Sequence, residues 1–334
     1  MLAGEFPVIL YSAVLMCFLA IDLGGTKLAV AVFTNNGDLL RKEKTMVDKK
    51  GGAEVGRVII SQIEKFLREE KEETIQSIGI SIPGIYHIRE GTVWAPNIAG
   101  WNDYPLLKEV QAVVAGIPVS IESDRSCYIL GEWWKGGAKN CTDAIFLAVG
   151  TGIGAGILTG GNILRGANDS AGAIGWMALQ QPFDPQYVEC GCFETKASGE
   201  GIAKFARELV SENPGYKGLL KNTQQSLTAI DVFDAYESGD TIAAEVVDRC
   251  IEIWGMAIAN LVSLFNPQKI ILGGGVFGPA IKFIPSIYKE AKKWAQPVSI
   301  RQVVIESSIL GADAGLFGAA YLAMQNLNAK SIHE

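Results

Sequence analysis

The feature that most constrains the fold is a strand, a glycine-rich turn and a second strand, which occur twice along the chain. An apolar strand at 17–22 leads through the turn 24–26 into a second strand, and an apolar strand at 144–149 leads in the same way through the turn 150–152. Such an internal duplication predicts two similar lobes that face one another, each beginning with a turn small enough to approach a phosphate group.

Helical and strand patterns alternate between and after these two turns. Apolar residues at helical spacing over 55–67 precede a short strand at 78–82, and a strand at 119–122 precedes a helix over 125–134. The 334 residues exceed the roughly 250 to 300 at which a single hydrophobic core stops growing. With 49% apolar residues, 38 glycines and 19% charged residues, the chain is predicted to be a soluble α/β protein with two lobes.

Charge, cysteine content and the N-terminal sequence exclude several classes of protein. A formal net charge of -7 without a basic run argues against binding to nucleic acid or to an anionic membrane. The six cysteines are scattered, as expected for reduced thiols in the cytoplasm. No Lys or Arg precedes the apolar N-terminal run and no small-residue cleavage site follows it, so we expect residues 1–15 to be an extension before Met16 and not a signal peptide.

Each glycine turn has two interpretations when it is considered alone. Backbone N–H groups in a turn without side chains can approach phosphate oxygens, and Thr26 adds a hydroxyl donor. A tight hairpin turn with Asp22 as its capping residue explains the first turn equally well, and the same ambiguity applies to the second. The presence of both turns at matching points of two similar halves is much more specific than either one.

Several short segments together resemble one family of proteins. In order and spacing, the chain resembles the ROK family of sugar kinases over nearly the whole of residues 17–325. The segments that carry the resemblance are DLGGTK at 22–27, SIPG at 81–84, APNIAGW at 95–101, GTGIGAG at 150–156, LRGAN at 164–168 and ILGGGV at 271–276.

The resemblance implies an architecture, an activity and a set of partners. The fold would be the ribonuclease H-like, actin/hexokinase type, with two α/β lobes that close over ATP and a sugar in an interlobe cleft. We expect a smaller N-terminal lobe of residues 16–124 plus about 311–330, a larger lobe of residues 125–310, and a homodimer. ATP and Mg²⁺ would be the cofactors of an ATP-dependent carbohydrate kinase.

The resemblance also assigns roles to individual residues. Asp124 would be the catalytic base, and Asp22 would hold Mg²⁺ through water. The expected ATP-binding residues are Gly24, Gly25, Thr26, Lys27, Gly150, Thr151, Gly152, Gly154, Gly273, Gly274 and Gly275. The expected substrate-binding residues are Gly84, Asn97, Ser123, Asp124, Trp176 and Glu194. Ser123 and Asp124 are also residue types that favour a helix N-cap, and this alternative is compatible with the base role.

Three positions depart from the family pattern on the sugar side. Where the family has Glu and His in an E-x-G-H motif, this chain has Ala173 and Trp176, and Ser123 replaces the usual Asn before the catalytic Asp. Because hydrogen-bonding pockets discriminate strongly, an ordinary glucose-like pyranose is not expected. The changes favour a ligand with fewer hydroxyls, an amino substituent or an anhydro ring. Trp176 would either stack on the sugar or fill the space of the missing His.

The same region lacks most of the family's zinc site. The family uses one His and three Cys, whereas this chain offers Cys190 and Cys192 with Trp176 in place of the His. Two thiolates cannot complete a tetrahedral site, so no structural zinc is predicted. The two histidines, His87 in an apparent surface loop and His333 in the tail, do not have metal-ligand spacing.

A dehydrogenase and a non-catalytic sugar-binding protein are the two alternative classes of function. Residues 273–278 match the G-x-G-x-x-G pattern of dehydrogenases, but the match lies too near the C-terminus for a dinucleotide-binding fold. ROK relatives also include sugar-responsive repressors with an N-terminal helix-turn-helix, and only about sixteen residues precede the first strand, so DNA binding is not expected. A non-catalytic sugar-binding sensor stays open as the alternative.

Overall fold

The computed structural model describes residues 16–47, 50–69, 75–223 and 226–331. The predicted extension 1–15 and His333 lie outside the described residues. In chain order the first lobe contains β1 (Cys17–Leu23), β2 (Lys27–Thr34), β3 (Leu39–Met46), α1 (Ala53–Glu69), β4 (Ile75–Ile82), β5 (Ile85–His87), β6 (Thr92–Trp94), α2 (Leu106–Gln111) and β7 (Val119–Ser123).

The remaining elements form the second lobe and the helices between the lobes. They are α3 (Asp124–Lys135), β8 (Ala144–Val149), β9 (Ile153–Thr159), β10 (Asn162–Ile163), α4 (Tyr187–Cys190), α5 (Cys192–Ala197), α6 (Gly199–Glu212), α7 (Ala229–Glu237), α8 (Thr241–Phe265), β11 (Lys269–Gly273), α9 (Ile284–Trp294), β12 (Val304–Ser307) and α10 (Ala314–Ser331). Short 3-10 helices lie between them, including Ile174–Trp176 and Gly275–Phe277.

The two main sheets have the same strand order and directions. The first has the order β3-β2-β1-β4-β7 and the second β10-β9-β8-β11-β12. In each sheet the first three strands pair antiparallel and the last three parallel. The duplication that the two glycine turns predicted is therefore confirmed, and so is the α/β fold class.

Alternating apolar residues give each sheet two buried faces. On β1, Leu19 and Ile21 belong to the main core of the first lobe, whereas Ala20 lies on the opposite face against α10. On β8, Ile145 belongs to the large core of the second lobe, and Phe146 lies on the opposite face in a cluster with Ile129 of α3. Because strand side chains alternate between faces, each sheet can be covered by helices on both sides.

Helices α3 and α10 pack closely against one another between the two sheets. A Cβ on Gly318 would lie 1.8 Å from the Cys127 carbonyl oxygen, and one on Gly131 would lie 2.4 Å from the Ala314 carbonyl oxygen. These two glycines allow the helix backbones to approach. Helix α10 also contacts β1 and β4, and α3 contacts β8 and β9. Asp124, the first residue of α3, therefore lies where the two lobes join.

Candidate active site

The first sheet brings polar side chains together where its three parallel strands end. Asp22 of β1 is in register with Ser81 of β4, and Ser81 is in register with Glu122 of β7. The Ser81 hydroxyl donates a hydrogen bond of 2.6 Å to Asp22 Oδ1. Asp124 directly follows β7. The carboxyl groups of Asp22, Glu122 and Asp124 therefore lie at the same edge of the first sheet.

Asp22 is a partly buried carboxyl group with an altered acidity. The pKa of Asp22 is raised to about 6, chiefly by burial and in part by the negative charges of Asp124 and Asp313, although the Ser81 hydrogen bond lowers it. Lys42, which forms an ion pair with Asp313, also lowers it. Asp22 and Asp124 thus lie within electrostatic reach, as expected for two carboxyl groups that serve one site.

Asp124 is held by two hydrogen bonds from its own helix. Its Oδ1 accepts the Arg125 backbone N–H at 2.7 Å, and its Oδ2 accepts the Tyr128 hydroxyl at 3.3 Å. Burial raises the pKa of Asp124, and the Arg125 charge opposes this. Ser123 occupies the N-cap position of α3 without a side-chain capping bond. A carboxylate with a raised pKa is a better proton acceptor near neutral pH.

The first glycine turn is an exposed hairpin connection between β1 and β2. The Gly24 N–H donates to the Lys27 carbonyl at 2.8 Å, and Gly24, Gly25, Thr26 and Lys27 are all exposed. A Cβ on Gly25 would meet nothing within 4 Å. The absence of a side chain at Gly25 is therefore not required by packing in the protein itself.

The second glycine turn connects β8 and β9 and is tied to α6. The Gly150 N–H donates to the Gly152 carbonyl at 2.9 Å, and the Gly199 N–H donates to the Gly150 carbonyl at 2.7 Å. Thr151 is exposed at the tip of the turn. Gly154 is different, because it lies inside β9, where a Cβ would be 2.5 Å from Arg125 Cδ.

A cavity of about 250 Å³ opens beside the second turn. Its lining combines apolar side chains with a few hydroxyl and carboxyl groups, as is typical of small-molecule sites. The lining residues are Gly150, Thr151, Gly199, Glu200, Ala203, Thr228, Ala229, Ile230, Phe233, Gly275, Val276 and Pro279. The cavity thus joins the second turn and the third glycine segment in one site.

The three glycines after β11 have different environments. A Cβ on Gly273 would lie 2.2 Å from Phe146, and one on Gly274 would lie 2.4 Å from the Val149 carbonyl oxygen. Gly274 also has a φ of 89°, which favours glycine. Among these three residues only Gly275 lines the cavity. Packing of the second lobe therefore explains Gly273 and Gly274, whereas Gly275 borders the cavity, where a Cβ would meet nothing within 4 Å.

The predicted substrate residues of the first lobe lie in the loops after β4 and β6. Gly84 has a φ of 97°, and its carbonyl accepts a hydrogen bond of 3.4 Å from Arg125 Nη2. Asn97 is exposed in a loop that the Ala95 N–H closes by donating to the Trp101 carbonyl at 2.7 Å. Gly84 is thus connected to the residue next to Asp124, whereas Asn97 makes no such contact in the described part of the chain.

Glu194 and Trp176 lie together in the second lobe. Glu194 Oε2 accepts the Ile153 N–H at 2.6 Å, and a Cβ on either Gly152 or Gly175 would contact the Glu194 side chain. Burial raises the pKa of Glu194. Trp176 is 56% exposed, so its indole does not fill a buried space. Glu194 therefore supports both the second glycine turn and the turn that carries Trp176.

The cysteine region contains no recognisable metal site among residues 16–47, 50–69, 75–223 and 226–331, where no group of three or more His, Cys, Asp or Glu side chains is arranged to hold a metal ion. Cys190 Sγ lies 3.3 Å from Thr195 Oγ1, and Cys192 is buried. His87 belongs to β5 and not to a surface loop, so that expectation was wrong. A strand of three residues is too short to be recognised from alternation.

The sequence interpretation missed several residues that the fold brings to the site. Arg125 and Tyr128 lie beside Asp124 on α3, and a spacing of one helical turn from Asp124 could have indicated Tyr128. Arg165 contacts Glu122 from a distant part of the chain. The α6 and α7 residues that line the cavity carry no local signal, because their position depends on how these two helices pack beside the second turn and Gly275. In the described part of the chain, no helix is long and apolar enough to cross a membrane.

The duplicated sheets, the crossing helices and the carboxyl groups at the lobe junction define a two-lobed α/β protein of the actin/hexokinase type. The model of the ROK family matches residues 18–326. A glucokinase of Halalkalibacterium halodurans is 33% identical over 319 residues, which cover 93% of this chain and 96% of the relative. The chain therefore belongs to the ROK family.

Solved structures agree with this assignment. A ROK family glucokinase from Streptomyces griseus, in complex with glucose and AMPPNP, superposes with a TM-score of 0.73 at 27% identity and covers 92% of this chain and 99% of its own. A ROK family transcriptional regulator, a homologue of the E. coli MLC protein, superposes with a TM-score of 0.81 at 25% identity, covering 93% of this chain and 78% of its own. The predicted fold class and family are confirmed.

Proposed function

We propose that this protein transfers the γ-phosphoryl group of ATP to a hydroxyl group of a sugar or sugar-like alcohol, with Asp124 as the general base. It is an ATP-dependent carbohydrate kinase, like the glucokinases and β-glucoside kinases among its relatives. The observation that carries the assignment of the base is the position of Asp124, a carboxyl group of raised pKa at the lobe junction, within electrostatic reach of Asp22.

In the proposed reaction the chemical step of the protein itself is the acceptance of a proton by Asp124. The acceptor hydroxyl oxygen forms a bond to the γ-phosphorus while the bond to the β–γ bridging oxygen breaks, and the hydroxyl proton moves to Asp124. Tyr128 and the Arg125 N–H hold the Asp124 carboxylate in one orientation. Backbone N–H groups of the two glycine turns stabilise the phosphate charge, and closure of the lobes excludes water that would hydrolyse ATP.

Nucleotide binding is assigned mainly to the second lobe. The cavity beside Gly150 and Gly275 has apolar walls, including Phe233 and Val276, that suit the adenine ring and ribose. The exposed turn 24–27 of the first lobe would approach the phosphates from the opposite side of the cleft. The sequence-predicted ATP residues Gly154, Gly273 and Gly274 would act indirectly, because they allow close packing behind these turns.

Asp22 suits the role of holding Mg²⁺ through water. A carboxylate oriented by the Ser81 hydroxyl is the type of ligand that Mg²⁺ prefers, and burial together with the nearby charges of Asp124 and Asp313 raises its pKa, so a cation at this position would favour the charged form. When bound, Mg²⁺ would neutralise the charge of the phosphate oxygens. Structural zinc is not expected, and stoichiometric zinc in the purified protein would contradict this.

The acceptor pocket supports a substrate that differs from glucose. Asn97, Gly84, Ser123, Trp176 and Glu194 are the proposed acceptor residues. Ala173 replaces a family acidic residue, and exposed Trp176 offers an aromatic face on which an apolar sugar face can stack. A sugar with fewer hydroxyls, an amino substituent or an anhydro ring fits this pocket best.

A non-catalytic sugar-binding sensor is the second candidate function. Its support is the altered motif at Ala173 and Trp176, together with the similarity to a transcriptional regulator of the same family. A sensor would bind sugar without needing a base, so the raised pKa of Asp124 and its two hydrogen bonds favour the kinase.

Domain limits, assembly and location are further parts of the proposal. We infer a first lobe of residues 16–124 with about 311–330, supported by the contacts of α10 with β1 and β4. The family resemblance supports a homodimer. Use of ATP and cysteines scattered through the chain without paired spacing support a cytoplasmic location.

The test is ADP release from Mg-ATP with a panel of hexoses, amino sugars, anhydro sugars and cyclitols, with acceptor-free ATP hydrolysis as the background. Phosphorus NMR of the product identifies the phosphorylated hydroxyl. We expect one substituted or anhydro sugar to exceed glucose in kcat/KM. Glucose as the best acceptor would contradict the proposed pocket, and sugar binding without any turnover would favour the sensor.

A further inference from the structure

Glu122 is a buried charged residue whose two carboxylate oxygens are both engaged. It lies in β7, two residues before Asp124, and is only 5% exposed. Its Oε1 accepts the Ser123 backbone N–H at 2.9 Å, and its Oε2 accepts Arg165 Nε at 2.7 Å. The ion pair therefore holds the strand end that leads directly into the proposed base.

Arg165 comes from the opposite lobe, in a loop that is fixed to the second sheet at both ends. The Leu164 N–H donates to the Ile157 carbonyl at 2.9 Å, and the Ala155 N–H donates to the Gly172 carbonyl at 2.8 Å. Both Ile157 and Ala155 belong to β9. Because both ends of the loop are anchored to β9, the loop moves with the second lobe. We call residues 165–171 the bridging loop, since Arg165 also contacts the first lobe.

The bridging loop makes a second contact with the first lobe. Asp169 Oδ2 accepts the Ile88 backbone N–H, just after β5, at 3.2 Å. Burial raises the pKa of Tyr86 in β5, and the negative charges of Glu122 and Asp169 raise it further. The loop thus meets both β7 and the β5–β6 hairpin, the part of the first lobe next to Gly84.

We propose that Arg165 is a positioning residue that transmits closure of the second lobe to Asp124 through Glu122. In the closed arrangement Arg165 compensates the buried charge of Glu122, and Glu122 holds the Ser123 backbone beside the base. When the lobes separate, Glu122 loses its only charged partner in the described chain and the end of β7 is less restrained. Closure of the cleft therefore adds the Arg165–Glu122 restraint to the two hydrogen bonds that Asp124 accepts within α3.

This inference rests on the proposed kinase activity, and it predicts a distinctive kinetic effect. An interaction that forms with closure stabilises the transition state more than the separate ligand complexes, so its loss lowers kcat more than it raises KM. A residue that only stabilised the fold would lower the melting temperature and would leave the kcat of the folded fraction unchanged.

The test compares Arg165→Met with Arg165→Lys, and with Arg249→Met as the matched control. Arg249 also forms an arginine–carboxylate pair, with Glu252 at 2.9 Å, but this pair lies on the exposed surface of α8. We expect Arg165→Met to lower kcat by about 30-fold or more, with KM for ATP changed less than about twofold. Arg165→Lys should recover part of the rate because it retains the charge, and Arg249→Met should match the unmodified protein.

Hydrogen exchange provides a readout that does not depend on turnover. With an ATP analogue bound, the amides of residues 122–125 in Arg165→Met should exchange about tenfold faster than in the unmodified protein, with exchange in β1 unchanged, and this difference should be smaller without the analogue. Unchanged exchange at 122–125 together with an unchanged kcat would overturn the inference. If the unmodified protein phosphorylates nothing in the sugar panel, the proposed function fails, whereas the exchange result still decides the role of Arg165.

Discussion

The two sheets share one strand order but differ in what they present at their carboxyl ends. In the first sheet β1 and β7 end beside Asp22, Glu122 and Asp124. At the corresponding points of the second sheet β8 ends at Val149, and β12, the counterpart of β7, carries Glu306, whose carboxylate pairs with Lys269 at 2.9 Å. The first lobe thus presents carboxyl groups, and the second presents backbone groups and an apolar cavity.

This difference shows how a duplicated fold can divide one reaction between its halves. Carboxyl groups act through charge and proton transfer, so substitutions in the first lobe should mainly alter rates and pH dependence. Backbone turns act through close approach, so substitutions in the second lobe should mainly alter nucleotide affinity. If the two halves divide the reaction in this way, substitutions in each lobe should have separable kinetic effects.

Asp22→Asn should have the largest effect among these four. The variant keeps the shape of the side chain but removes the charge that would hold Mg²⁺ through water, so kcat should fall by about 100-fold. Thermal stability should not decrease, because burial already disfavours the charged form of Asp22. Steady-state kinetics against Mg²⁺ concentration and a melting curve measure both effects. Asp103→Asn, at an exposed first-lobe carboxylate, is the control and should behave normally.

Gly150→Ala tests the backbone contribution of the second lobe. A Cβ at this position meets nothing within 4 Å, so the folded protein should tolerate it. If the turn approaches phosphate oxygens, the added methyl group obstructs them, and KM for ATP should rise by about tenfold with a smaller change in kcat. Gly215→Ala is the control, since its nearest neighbour would be 3.7 Å away and it lies outside the cavity. An unaltered KM would remove Gly150 from the nucleotide site.

Trp176→Ala tests whether the second lobe also contributes to acceptor binding. Aromatic stacking contributes about 0.5 to 1.5 kcal/mol, so KM for the acceptor should rise by about 2- to 10-fold, while KM for ATP should not change. The melting temperature should stay constant because more than half of the side chain is exposed. Loss of stability without a change in acceptor KM would instead assign Trp176 to packing.

Tyr128→Phe should have the smallest effect, restricted to low pH. Asp124 must be deprotonated to act as a base, so activity is lost as pH falls through its raised pKa. The Tyr128 hydroxyl donates to the carboxylate and favours its charged form. Without this hydroxyl the acidic limb of the kcat/KM profile should move to higher pH by about half a pH unit, with the rate at high pH retained. A shift to lower pH would contradict the assignment.

The sequence predicts the elements that depend on local patterns, but not the contacts between residues that are distant in the chain. Alternating apolar strands and glycine turns are local patterns, which is why the central strands of both sheets and the helix start at Ser123-Asp124 could be predicted, whereas the edge strand β12 was not. Contacts such as Arg165 with Glu122 depend on how the two lobes face one another, and no local pattern reports them. The cavity walls at Phe233 and Ala203 belong to separate helices, so only the folded chain brings them together.

Side-chain roles were harder to predict than positions. Glu194 was predicted to bind substrate. In the structure its carboxylate accepts a hydrogen bond from the Ile153 N–H, which follows the second glycine turn. Gly154 was assigned to ATP binding, but its missing side chain makes room for Arg125. In both cases the structure shows a packing role for the residue, and its contact with a ligand stays a prediction.

The central claim is that Asp124 accepts the proton of a sugar hydroxyl during phosphoryl transfer from ATP. The most direct measurement is single-turnover kinetics of Asp124→Asn with the best acceptor of the sugar panel, together with calorimetric binding of an ATP analogue. We predict that turnover falls by about a thousandfold or more, because general base catalysis is lost, while nucleotide affinity changes by less than about twofold. Retention of more than about one tenth of the rate would contradict the account, because Asp124 would then not be the base.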